Sequence, residues 1–218
     1  MTIDIRVDLR PQFGEVRDQG RRPTCLAFAS SDVHAVNRAL LFESLSAEYA
    51  FYHGIKRKGG TFDPHAGVPL GPMLAAIEKD GQPLESGWPY LKQLPSDIAG
   101  YRLPSNPGNL YRRASKHVLA TFDTICLSLD KHVPLLVTFM PTMNFHRAEA
   151  GSPVRSTAGD IASGAAHAVV AVGWGEDEQS ERIVLIRNSW GPKWADAGYA
   201  WLAERYLTPR IYAVVTME

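Results

Sequence analysis

From Leu26 onward, apolar residues recur at Leu26, Ala29, Val33, Val36 and Leu40. That spacing returns to one face of a 3.6-residue period and predicts a buried central helix over about 24–42. Pro23 suits a first helical turn, where its missing N–H is not needed, and Thr24 suits a cap. Ser46 can cap a second helix over about 47–58, with Tyr49, Tyr52 and Ile55 as its apolar face. Gly59-Gly60 breaks the pattern, and a third helix follows over about 70–80, closed by Gly81. Residues 91–113 carry Pro95, Pro104, Pro107, Gly100 and Gly108 and read as an irregular crossing between two lobes.

Beyond Lys116 the pattern shifts towards strands, at 117–120 and 135–140, with a helix over about 123–132 between them. Residues 164–175 form a near-continuous apolar run, read as a buried strand. A polar loop, Glu176 to Glu181, turns it into a second strand, Ile183 to Arg187. Strands at 199–202 and 211–217 complete the set. Residues 1–18 read as extended and loop-like, and 141–164 as a long loop that borders the histidine strand. Helices first and strands after argue an α+β fold. The whole chain, 1–218, is expected to form one domain, helical over about 19–113 and strand-rich over about 114–218.

Cys25 falls where loop becomes helix. The positive end of the helix dipole there favours thiolate over thiol. A cysteine on a helix can equally be a small buried hydrophobe. Far along the chain, His167 starts one strand of the hairpin and Asn188 ends the other, so both can lie at the same end within hydrogen-bond reach. A thiol nucleophile needs a base, and the base needs a group to hold its ring. These three residues can fill those roles together.

Charge and composition narrow the function. Lysine plus arginine and aspartate plus glutamate number 23 each. That balance leaves no electrostatic footprint for nucleic acid or an anionic membrane, and no apolar run is long enough to span a bilayer. His117 and His132 lack ligand spacing, so no metal site is expected. Gly173-Trp174-Gly175 is too short for a dinucleotide fingerprint, so no cofactor is expected. With Cys25 as nucleophile, Cys126 has no partner and reads as packing. The absence of a disulfide points to a reducing, cytoplasmic setting, and Met1 to Arg6 resembles neither a signal nor a transit peptide.

The segments that carry these residues resemble the papain-like cysteine peptidases (C1-type). That family's nucleophile signature, Q-G-x-C-G-S-C-W, is met by Gln19-Gly20-Arg21-Arg22-Pro23-Thr24-Cys25-Leu26 with the Gln-to-Cys spacing kept. Its H-A-V-x-x-V-G-Y/W-G strand is matched from His167 to Gly175. Its N-S-W-G-x-x-W-x-x-x-G-Y segment is matched without a gap by Asn188-Ser189-Trp190-Gly191, Trp194 and Gly198-Tyr199. Asp8-Leu9-Arg10 is similar to the D-W-R opening of the mature family domain. Three departures stand beside the nucleophile. Leu26 replaces tryptophan, Arg22 stands where the family has a disulfide cysteine, and Pro23-Thr24 replaces Gly-Ser.

The resemblance implies a helical lobe with a central nucleophile helix, packed against an antiparallel β lobe, in a compact form without propeptide or disulfides. It implies Cys25 as nucleophile, His167 as its base, Asn188 orienting the ring, and Gln19 with the Cys25 N–H stabilising the oxyanion. Gly67, Ala166 and Trp190 are the expected substrate-binding positions, and Trp190 would also cover the His–Asn pair. The expected activity is hydrolysis of peptide or isopeptide bonds in a peptide or protein substrate. An amidase, deamidase or transglutaminase-like acyl transferase on the same dyad is the alternative, and a catalytically silent binding module is a further one. Without a propeptide, an unidentified regulatory partner, tight specificity or a gated cleft would restrain the enzyme.

Overall fold

The computed structural model describes residues 2–38 and 41–218. They divide into two compact units, one of residues 19–115 with 217–218 and one of residues 1–18 with 116–216.

The first unit is helical. It contains α1 (Cys25–Arg38), α2 (Ala47–Lys58) and α3 (Leu70–Lys79). Leu41 and Phe42 are not helical, and the expected place of Leu40 on the apolar face falls outside the described residues. Every residue of α1 from Leu26 to Ala35 is buried, so the helix is enclosed on all sides rather than along one stripe. Two of its buried polar side chains, Ser31 and His34, are tied to Gln82. Ser31 Oγ donates to Ala27 O at 2.6 Å, Gln82 Nε2 donates to Ser31 Oγ at 2.6 Å, and His34 Nδ1 meets Gln82 Oε1 at 2.8 Å. Ser46 caps α2 by accepting from Tyr49 N–H at 3.0 Å. Gly54 lets α3 come close, since a Cβ there would lie 2.9 Å from Val68 Cγ1 and 3.2 Å from Met73 Cε. The irregular stretch 91–113 belongs to this unit. Tyr101 anchors it, buried against Tyr52 and Trp88.

The second unit is built on an antiparallel sheet. Its strands are β1 (Ile3–Asp8), β2 (Ser115–Val118), β3 (Leu135–Phe139), β4 (His167–Asp177), β5 (Arg182–Arg187), β6 (Tyr199–Ala203) and β7 (Ile211–Met217). They run in the order β2-β7-β3-β4-β5-β6, with β1 also paired to β4. β3, β4 and β5 are apolar runs buried almost throughout, as strands covered on both faces must be. The helix α4 (Phe122–Asp130) packs on β3 and β4. β3 pairs with the half of β4 that begins at His167, and β1 pairs with the half that ends at Asp177.

Residues 3–8 are thus a strand, not a loop. Ile3, Ile5 and Val7 alternate with Asp4, Arg6 and Asp8, a period of two that fits a half-buried strand. Gly173 and Gly175 make room for it, since a Cβ on either would lie 2.5 Å from a β1 carbonyl oxygen. The expected loop 141–164 carries a short helix, α5 (Met143–His146), and is tied to β6 where Val154 N–H donates to Trp201 O at 2.8 Å.

Candidate active site

In the sheet unit, β4 opens with His167 and β5 ends at Arg187, one residue before Asn188. The antiparallel hairpin brings the two side chains together, with His167 Nε2 2.8 Å from Asn188 Oδ1. The direction of this bond follows from a neighbour. Ser189 N–H, which can only donate, also points at Asn188 Oδ1 at 2.8 Å. The atom facing the ring is therefore oxygen, and His167 carries its hydrogen on Nε2. In the neutral ring Nδ1 then holds the lone pair. Asn188 is itself fixed by its backbone N–H, which donates to Gly198 O at 3.0 Å.

Aromatic rings enclose the imidazole. Trp190 lies 4.7 Å from it, Phe145 5.8 Å and Phe139 6.3 Å, centroid to centroid. Trp194 stands edge-on to Trp190, and the exposed ring of His146 stacks on Trp190 at 4.9 Å. Burial pushes the His167 pKa down to about 4, the Asn188 bond opposes this, and the nearby His146 adds to the fall. The segment after Asn188 closes on residues 16–18. Gly191 N–H donates to Arg17 O at 3.1 Å, and Gly198, at φ +91°, would place a Cβ 2.4 Å from Val16 Cγ1. Arg187 is buried with them, donating to Gly14 O, Glu15 O and the Tyr199 hydroxyl. Ala166 is exposed immediately before β4.

In the helical unit, Cys25 is the first residue of α1 and is partly exposed. Thr24 precedes the helix, its carbonyl accepting from Phe28 N–H at 3.1 Å. Pro23 lies outside the first turn, in a tight turn closed by Thr24 N–H to Arg22 O. Gln19 is buried, and its Nε2 donates to Arg22 O at 2.9 Å. A carboxamide nitrogen carries two hydrogens, so this bond orients the group without exhausting its donors. The Tyr90 hydroxyl donates to Gln19 O at 2.8 Å and meets Thr24 Oγ1 at 2.7 Å. Gly67 lies against Pro23, where a Cβ would be 3.9 Å from the proline Cβ. The structure therefore groups Gln19, Cys25 and Gly67 in one unit and His167, Asn188, Ala166 and Trp190 in the other.

Sequence reading missed Phe145, Tyr90 and Arg187. Only the last had a visible signal, an arginine closing an otherwise apolar strand. Among the described residues no group of side chains could hold a metal ion, and neither cysteine is in a disulfide. Burial pushes the Cys126 thiol up to about 12, which makes it a poor nucleophile.

The profile described as papain family cysteine protease matches residues 75–213. This chain belongs to that family. It is 39% identical over 209 residues to a cathepsin B-like protein, CP2, of Giardia intestinalis, covering 91% of this chain and 67% of the relative. It is 26% identical over 196 residues to an aleurain-like thiol protease of Arabidopsis thaliana, covering 84% of this chain and 51% of the relative. Xylellain, a cysteine protease from Xylella fastidiosa, superposes with a TM-score of 0.78 at 22% identity, covering all of this chain and 87% of xylellain. The bromelain protease of Ananas comosus, solved with the inhibitor E-64, gives 0.73 at 18% identity, covering 97% of each. The papain-like α+β fold is therefore the fold of this chain. Membership makes it a cysteine-type peptidase, with peptide or protein as its class of substrate.

Proposed function

We propose that this papain-family chain cleaves peptide bonds through Cys25, His167, Asn188 and Gln19, by way of an acyl-enzyme. The observation that carries the reading is the bond from His167 Nε2–H to Asn188 Oδ1, which leaves Nδ1 as the nitrogen that exchanges protons. Cys25 gives its proton to Nδ1 and attacks the substrate carbonyl carbon as thiolate. The Gln19 carboxamide and the Cys25 N–H stabilise the oxyanion. The tetrahedral adduct collapses, the C–N bond breaks, and the imidazolium returns the proton to the leaving amine. Water then adds to the thioester, Nδ1 takes its proton, and the acid leaves as Cys25 is restored.

A buried ring with a pKa near 4 does not hold a proton alone at neutral pH. A thiolate beside Nδ1 offsets that burial, so thiolate and imidazolium form as a pair. Trp190 shields the His–Asn bond from water, and Gly67 and Ala166 border the bound peptide. Isopeptide bonds present the same carbonyl and fall within the same chemistry. That neither cysteine is in a disulfide supports a reducing, cytoplasmic setting for the enzyme.

The test is intact-mass spectrometry after brief exposure to an epoxide of the E-64 type between pH 5 and 8. One adduct on Cys25, lost in His167→Ala, supports the reading. An unmodified Cys25 across that range would overturn it and move the acyl-transferase and binding-module readings ahead.

A further inference from the structure

Arg22 replaces the family's disulfide cysteine, and the structure shows what it does instead. Its guanidinium is 7% exposed and forks onto Glu48, which is fully buried, with Nη1 to Oε2 at 2.6 Å and Nη2 to Oε1 at 2.8 Å. Nη1 also donates to Leu91 O at 2.5 Å. Glu48 accepts two further bonds, Leu91 N–H on Oε2 at 2.9 Å and the Tyr101 hydroxyl on Oε1 at 2.5 Å. Each carboxylate oxygen thus has two donors. The carboxylate's capacity is filled, as a buried ion pair needs if it is to repay its desolvation, while Arg22 Nε has no hydrogen-bond partner among the described residues. The guanidinium also stacks over Tyr90 at 5.0 Å and Phe51 at 5.3 Å.

The pair reaches the chemistry through the backbone of the same residue. Arg22 O is the acceptor for both Gln19 Nε2 and Thr24 N–H, each at 2.9 Å. Tyr90, stacked on the guanidinium, ties Gln19 O and Thr24 Oγ1 with one hydroxyl. Arg22 therefore sits between Gln19 and Cys25 in sequence, holds the Gln19 carboxamide with its carbonyl, and is immobilised by its own side chain.

We infer that Arg22, Glu48 and Tyr90 are positioning residues for the oxyanion donor: the ion pair and the phenol lock the 19–24 loop so that the Gln19 carboxamide is aimed before substrate arrives. The inference rests on the role proposed above for Gln19 and Cys25. A purely stabilising pair would lower the melting temperature and leave turnover per folded molecule unchanged. A positioning pair lowers kcat through Gln19, because a displacement of about 1 Å in a donor costs up to roughly a hundredfold.

The experiment is a double-mutant cycle of Glu48→Gln with Gln19→Ala, repeated with Tyr90→Phe in place of Glu48→Gln. Each variant of the full chain is assayed for kcat and KM on a peptide substrate, for folded fraction, and for Cys25 alkylation by iodoacetamide, which needs no oxyanion donor. The expected result is a ten- to hundredfold fall in kcat for Glu48→Gln and a smaller one for Tyr90→Phe. KM and alkylation rate hold, and neither substitution adds a loss once Gln19 is alanine. Losses that multiply with that of Gln19→Ala, or a kcat per folded molecule equal to that of the parent, overturn the inference. Should Glu48→Gln not fold, Tyr90→Phe decides alone by the same criteria, since it keeps the stacked ring and removes only the hydroxyl. A full kcat in Gln19→Ala by itself would instead sink the oxyanion role, and with it the inference.

Discussion

His167 and Asn188 share one hydrogen bond of fixed direction, from Nε2–H of the ring to Oδ1 of the amide at 2.8 Å. The Ser189 N–H on the same oxygen fixes the amide, and the amide fixes the tautomer. Asn188→Asp keeps both bonds and adds a negative charge beside the ring, which favours the imidazolium. The alkaline limb of kcat/KM, where the imidazolium of the pair loses its proton, should move to higher pH in this variant, read from a pH–rate profile. A limb that stays in place would mean that His167 is not the group being titrated.

Gln19→Ala should lower kcat by about 10²–10³-fold, the usual cost of one lost oxyanion donor. Gln19 gives a side-chain bond to Arg22 O, and the bond from the Tyr90 hydroxyl to the Gln19 backbone carbonyl survives the change, so the fold should hold. Steady-state kinetics beside a thermal melt separate the two effects. An unchanged kcat/KM would remove Gln19 from the mechanism.

Stability should fall with pH between about 6.5 and 4. His34 is 1% exposed, and burial, opposed by its bond to Gln82, pushes its pKa down to about 4. The unfolded chain binds a proton near 6.5 and the folded one near 4. The contribution is complete above 6.5 and is lost as pH drops through that window, at up to about 1.4 kcal/mol per pH unit for one such histidine. His167 acts in the same direction. Denaturant melts across pH 4–7 test this, and the slope should flatten in His34→Gln. Parallel slopes in parent and variant would show that His34 takes up its proton alike in the folded and unfolded states.

Gly173→Ala should detach β1. The added methyl would meet Val7 O at 2.5 Å, and backbone cannot yield as a flexible side chain can. A cost of about 1–3 kcal/mol is expected, with faster amide exchange confined to residues 3–9. Protection of those amides equal to that of the parent would show that the sheet absorbs the methyl.

Thiol labelling should be selective without mutagenesis. Cys126 is buried in α4 with its thiol pushed up to about 12, so an alkylating reagent below pH 9 should add once, at Cys25. Two adducts of comparable rate would contradict the burial of Cys126.

The sequence carried the contact between His167 and Asn188 well because its signals are short and regular. A strand, a polar turn and a second strand fix the register that joins His167 to Asn188, and Cys25 stands at a sequence-visible helix start. Ser46 and the second helix were equally legible, since a cap and a 3.6-residue period are local. What escaped was set by distant partners. Glu48 looks like an ordinary first-turn acid of α2 until Arg22, Leu91 and Tyr101 converge on it. The strand at 3–8 is short and strongly charged, and its pairing depends on the two glycines of β4. The short helix that puts Phe145 beside His167 has too few residues to show a period.

The pairing of β1 with β4 also bears on the order of assembly during synthesis. Ile3 is matched with Asp177 and Asp8 with Gly173, so β1 is made long before its partner strand exists. The helical unit, nearly all of it contiguous in sequence, can collect its contacts while the ribosome is still at work. The sheet cannot, because distant pairings must wait for the chain between them and are slow to close. His167 and Asn188, the base and its orienting amide in the proposed mechanism, therefore take up their places only after almost all of the helical unit has been made.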